Sequence, residues 1–134
     1  MNKDIDKIER VQRRATKMIY ECRNLSYKDR LEHTGLTTLE ERRDRGDMIE
    51  VFKLAKDITK IDKDKLLSFD MNTRTRGHPF KLKKARSRLE VRRNFFTQRV
   101  VNKWNALPSY VVAADSVNLF NDSLINIIMV ENMA

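Results

Sequence analysis

Apolar residues in this chain recur mostly at spacings of three and four, and few residues interrupt that rhythm. Three glycines and two prolines among 134 residues leave long stretches free of helix breakers. From Asp4 to Cys22 the apolar positions are Ile5, Ile8, Val11, Ala15, Met18, Ile19 and Cys22, which predicts one amphipathic helix with those residues on one face, open to a partner. Lys3, Lys7, Arg10, Arg14 and Lys17 form a neighbouring basic row within about 80° of arc. Ser26 is placed to cap a short helix bearing Tyr27 and Leu31, and Gly35 to stop it.

Further along, Thr37, Thr38, Leu39 and Glu40 fit a capping box pairing Thr37 with Glu40. A helix to Asp57 follows, with Leu39, Ile49, Phe52 and Ala55 as core candidates. Gly46 inside it costs about 1 kcal/mol against alanine, so the close approach of another helix is expected there. Residues 58–71 read as a Lys/Asp-rich connector with an apolar patch at Leu66, Leu67 and Phe69. The alternating TRTR and FKL strings around Gly77-His78-Pro79 predict a short basic β-hairpin or extended arm near 72–91. A fourth helix is expected from Leu89 to Ala106, and Ser116 should cap a last one with Val117, Phe120, Leu124, Ile127 and Ile128 inward. The expected fold is mostly α: a small bundle of four to five helices in one domain, 1–134. Its parts are helices over 1–57, the connector, the hairpin plus helix of 72–106 and the C-terminal helix of 107–134.

Charge is distributed unevenly. Residues 72–103 hold eleven Lys and Arg against the single acid Glu90, whereas 104–134 hold three acids and no base. That stretch accounts for the net charge of +9. A concentrated positive field suits a polyanion, and nucleic-acid phosphates are the commonest one. The candidate contacts are Arg74, Arg76, His78, Lys81, Lys83, Lys84, Arg86, Arg88, Arg92, Arg99 and Lys103. A solvated face or a nuclear-import signal in KLKKARSR reads the same charges differently. Phe96 and Trp104 fall on the core stripe of the fourth helix, while Phe95 points toward its basic arc and is the better base-stacking candidate.

Catalytic chemistry finds no converging set of residues. Most acids neighbour Lys or Arg on helix faces, and no phosphate loop, HExxH or GxSxG string occurs. One cysteine, on the apolar face of the first helix, gives no disulfide or zinc framework and reads as a buried thiol. His33 suits a helix end, and His78 suits either a turn or a phosphate contact. The expectation is no cofactor and no metal. The start MNKDIDKIERVQ has no apolar signal-peptide core and no segment is apolar enough to span a bilayer, so an intracellular protein, nuclear or cytoplasmic, is expected.

Four strings in order carry a resemblance: IERVQRRATKMI, LSYKDRLEHTGLTTLEERRDRGDMIEVFKL, TRTRGHPFKLKKARSRLEVRRNFFTQRVVNKWNALPSYVV and SVNLFNDSL. Together they resemble the C-terminal tail of jockey-like non-LTR retrotransposon reverse transcriptases, over roughly residues 5–126. The resemblance implies the thumb-like and post-palm region that helps hold template RNA and DNA primer. It implies nucleic-acid contact by Arg74, Arg76, Gly77, His78 and Arg99, and a packing core in RVVNKWNALP. The palm aspartates and the endonuclease have no counterpart here, so the expectation is a detached, non-catalytic tail. The ending INIIMVENMA departs from the basic, Trp-containing ending common in that family.

The function expected is therefore RNA or DNA binding through phosphates. The alternatives are a helical interaction module, in which helix 4–22 meets an upstream polymerase domain or a second copy, and an inert retrotransposon remnant.

Overall fold

The computed structural model describes residues 2–70, 76–84, 86, 88–89 and 95–133. Seven α-helices and a short 3-10 turn (Tyr20–Cys22) form among them, and the fold is mostly helical as the periodicity predicts. The α-helices are α1 (Asn2–Met18), α2 (Tyr27–Thr34), α3 (Leu39–Ala55), α4 (Lys63–Leu66), α5 (Phe96–Asn105), α6 (Ser109–Val112) and α7 (Val117–Met133). The chain divides into two compact units, Met1–Asp44 and Arg45–Ala134, with the boundary inside α3.

Local chemistry sets the helix ends. The Ser26 side chain accepts from the Asp29 amide, and Gly35 closes α2 with φ at 71°, a left-handed conformation that costs glycine little. The capping box of α3 lies one residue later than expected. Thr38 Oγ1 accepts from the Glu41 amide, and the Glu41 carboxylate accepts from the Thr38 amide. Tertiary bonds select that register: Gln12 donates to the Thr37 carbonyl, and Glu9 accepts from the Leu39 amide. Ser116 accepts from the Leu119 amide at the start of α7, as expected.

In the first unit, α1 is held by polar side chains. The Tyr27 hydroxyl donates to Glu9 and accepts from Gln12 Nε2 at 3.0 Å. Arg30, buried, donates from Nε to Thr16 Oγ1 at 3.1 Å and from a terminal nitrogen to the Leu25 carbonyl at 2.8 Å. Its guanidinium carbon and that of Arg13 lie 5.3 and 4.9 Å from the Tyr27 ring centroid. Burial raises the Tyr27 pKa above its ordinary value, and the hydrogen bond to Glu9 adds to that shift.

This packing leaves most of the apolar stripe of α1 outside. Glu9 and Thr16 are its buried side chains, whereas Ile8, Val11, Ala15 and Met18 are exposed. The cause is hydrogen bonding: at about 100° per residue Glu9, Gln12 and Thr16 share a separate arc that finds specific partners on α2 and the segment before α3. Cys22 alone of the expected stripe is fully buried.

The second unit has an apolar core. Phe52 and Phe120 stack with centroids 4.3 Å apart, and Trp104 lies 6.1 Å from Phe120. Val51, Val100, Val111 and Val112 pack around them with no side chain more than marginally exposed. The expected core residues Phe52, Ala55, Phe120 and Leu124 are buried, and Ile49, Val117 and Ile127 pack at the edge. Leu67 also enters this core from the connector, where α4 forms behind an Asp62 cap. Gly46 has no described heavy atom within 4 Å of where a Cβ would stand, so the expected close helix approach is absent.

Two expectations about residues 72–106 change. Among the described residues, backbone pairing there is a single antiparallel bridge between Phe69 and Leu82, with Asp70 and Lys83 amides donating to the Lys81 and Ser68 carbonyls. Its first strand partner is thus in the connector, and the TRTR half of the expected hairpin lies outside the described residues. Of the helix expected from Leu89 to Ala106, the described part is Phe96–Asn105, set off by an extended backbone at Phe95, while residues 90–94 lie outside the described residues.

Candidate nucleic-acid interface

The segment of residues 78–82 is fixed to the end of α5 by reciprocal hydrogen bonds. Trp104 Nε1 donates to the Phe80 carbonyl at 2.7 Å. Asn105 works from both ends of its amide, donating to the Leu82 carbonyl at 2.9 Å and accepting from the Leu82 amide at 2.8 Å. His78 completes the lock: its Nδ1 accepts from the Phe80 amide at 3.2 Å, and its Nε2 donates to the Trp104 carbonyl at 2.9 Å. These bonds select the tautomer with the proton on Nε2. Burial lowers the His78 pKa below its ordinary value, the Trp104 carbonyl opposes that shift, and the charge of Lys81 adds to it.

Gly77 makes the turn before His78 with φ at 114°, where a Cβ would stand 2.7 Å from the Lys81 side chain. Lys81 Nζ donates to the Arg76 carbonyl across that turn. The GHPFKL and WN strings are therefore two halves of one structural joint. Buried Leu82 and half-buried Phe80 tie the joint to the apolar core.

The joint sorts the predicted contacts. His78 is 2% exposed with both ring nitrogens engaged, which removes it from phosphate contact. Arg99 is likewise committed: its Nε and a terminal nitrogen hold the Asp47 carboxylate at 2.7 and 2.9 Å. Lys81 is half-buried and engaged in the turn. Arg76, Lys83, Lys84, Arg86, Arg88 and Lys103 are exposed. Arg74 and Arg92 lie outside the described residues. Among the aromatics, Trp104 is fully buried and Phe96 packs against the core, while Phe95 is exposed at the cap of α5.

Two of these roles were hidden from sequence reasoning. The Asp47–Arg99 pair spans 52 positions, and no local pattern marks it. Asn105 drew no attention, although its place beside Trp104 in a WN pair was visible. His33 pairs with Glu21 at 3.2 Å on the surface of the first unit, away from any cluster of ligating groups. Among the described residues no group of three or more His, Cys, Asp or Glu could hold a metal ion, and no helix is long and apolar enough to cross a membrane.

What the fold and this segment define is a small, mostly helical protein with a basic loop locked onto an aromatic core. Comparison with protein-family models, curated proteins and solved structures gave no match to the chain.

Proposed function

We propose that the protein is a non-catalytic nucleic-acid-binding element that grips phosphates through the loop of residues 76–88. One observation carries the reading. Within the basic stretch, His78 and Arg99 are spent on internal bonds, while Arg76, Lys83, Lys84, Arg86 and Arg88 remain at the surface. Cations mounted on a loop that is itself pinned at His78, Phe80 and Leu82 lose less conformational freedom on binding than cations on a free tail. Contacts of this kind fix position on a backbone and carry little sequence information. The resemblance to jockey-like reverse-transcriptase tails supports template RNA and DNA primer as the polyanion, and supports an intracellular setting.

The test is fluorescence anisotropy with single-stranded RNA, duplex DNA and an RNA–DNA hybrid over a salt series. The wild-type chain is compared with a variant carrying Lys83→Gln, Lys84→Gln, Arg86→Gln and Arg88→Gln. Removing one cation that neutralises a phosphate should flatten the logarithmic salt slope by about 0.7–0.9. Equal slopes for the two proteins would remove the loop from the interface. No binding to any probe near 50 mM salt (roughly the low-salt regime of such assays) would end the nucleic-acid reading.

A second reading, a protein-interaction module, has its own observation in the exposed apolar side chains of α1.

A further inference from the structure

α1 presents two parallel rows to solvent. Ile8, Val11 and Met18 are 59%, 67% and 80% exposed, and exposed Ala15 completes their row. On a wheel of about 100° per residue these four fall within roughly 80° of arc. Lys3, Lys7, Arg10, Arg14 and Lys17, all exposed, occupy the adjoining 80° or so on one side only. The other side is closed by the Glu9, Gln12 and Thr16 bonds to Tyr27, Arg30 and residues 37–39. A long apolar row left in water beside the packed edge of a helix is the kind of surface that a partner covers.

A second observation concerns the unit itself. Among the described residues of its 44, Cys22 and Leu31 are the buried apolar side chains. Units of about this size rarely build enough core alone and commonly gain stability from association.

The asymmetry of the two edges identifies the occupant. A second copy pairing antiparallel would set basic row against basic row. A second copy pairing parallel would direct the basic row at the edge already closed by α2. A nucleic acid would satisfy the cations and leave Val11 and Met18 in water. We propose that α1 docks a partner protein through a helix whose apolar stripe is bordered along one edge by carboxylates. Ile8, Val11 and Met18 would meet the stripe, and Arg10, Arg14 and Lys17 would meet the carboxylates. Carboxylates opposite this row would also orient the encounter and reject basic competitors. The proposal deepens the interaction reading and uses no residue of the basic loop, so it stands or falls apart from nucleic-acid binding.

The experiment uses the full chain and two labelled synthetic helical peptides. Both carry a leucine stripe, bordered by glutamate in one and by lysine in the other. Anisotropy should show the glutamate peptide binding at least about tenfold more tightly, with the preference shrinking as salt rises. Val11→Ser with Met18→Ser should abolish that binding, and Arg10→Gln with Arg14→Gln should reduce it to the level of the lysine peptide. All four positions are exposed, so circular dichroism of the variants should match the wild type. Four results would each overturn the proposal. One is equal affinity for the two peptides, and a second is binding that survives Val11→Ser with Met18→Ser. The third is a dimer in sedimentation that Val11→Ser dissolves, which would keep the interaction reading and replace the occupant with a second copy. The fourth is tight binding to phosphatidylserine-containing vesicles that depends on Val11 and Met18, which would make the occupant a lipid surface.

Discussion

The two units of this chain solve the same packing problem by different means. The unit of residues 1–44 is held at Glu9, Gln12, Thr16, Tyr27 and Arg30, where directed hydrogen bonds and the contacts of Arg13 and Arg30 with the Tyr27 ring tie its segments together. The unit of residues 45–134 is held by Trp104, Phe52, Phe120 and a ring of buried valines, where burial from water does most of the stabilising. Polar groups appear there mainly at the joint of His78, Phe80 and Asn105, which closes one side of the aromatic core. Directed bonds specify one arrangement and fail abruptly when a partner is removed. An apolar core tolerates more local change and fails in proportion to the volume removed.

The largest effect should come from the second unit. Trp104→Ala removes the centre of the aromatic cluster and the donor to Phe80, and should cost about 3–5 kcal/mol. Urea unfolding followed by circular dichroism checks it; a destabilisation below about 1 kcal/mol would mean that Trp104 does not organise this core.

Tyr27→Phe is the matching probe of the first unit. It keeps the ring beside Arg13 and Arg30 and removes only the hydroxyl, leaving Glu9 and Gln12 short of a partner. The expected cost is about 1–3 kcal/mol, read by the same unfolding curves. A neutral result would place the stability of this unit in its apolar contacts and erase the contrast with the second.

Acid should act on the joint of the second unit. The His78 pKa is lowered in the folded state, so the unfolded chain takes up the proton first as pH falls. The stability contributed by neutral His78 is complete above its ordinary value near about 6.5, and is lost as pH drops from there through the lowered folded value. The slope in that window is at most about 1.4 kcal/mol per pH unit for one proton. Unfolding midpoints between roughly pH 7.5 and 4.5 read this, since protonation also removes the acceptor for the Phe80 amide. A His78→Asn chain should be less stable at neutral pH and should lack that limb of the profile.

The smallest effect tests the helix that both units share. Gly46 stands next to the boundary with open space at its Cβ, so Gly46→Ala should stabilise α3 by about 0.5–1 kcal/mol. A destabilised variant would mean that this glycine serves a conformation other than the helix of Leu39–Ala55.

Much of the architecture was legible because it is written in short-range chemistry. Ser26, Gly35 and Ser116 begin or end helices through atoms within a few residues of themselves, and periodicity places Phe52, Trp104, Phe120 and Leu124 inward. The basic stretch was equally plain as a charge count. Two boundaries were less so. Thr37 and Thr38 each precede a glutamate by three positions, so the local pattern fits either register, and bonds from Gln12 and Glu9 decide between them. The periodicity that suggests one helix from Leu89 to Ala106 says nothing about the extended backbone at Phe95 that interrupts it.

By itself, then, the sequence determined that the chain is helical, where several helices begin and end, and where positive charge concentrates. Those properties depend on neighbours within one or two turns and on composition. The tertiary structure decided which face of α1 is covered, that His78 and Arg99 are internal fastenings, and which cations of the basic stretch reach solvent. Each of those depends on a partner far along the chain: Tyr27 for Glu9, Trp104 for His78, Asp47 for Arg99. A hydrophobic pattern ranks faces by the free energy of leaving water, and a specific long-range hydrogen-bond network can outweigh that ranking without leaving any local mark.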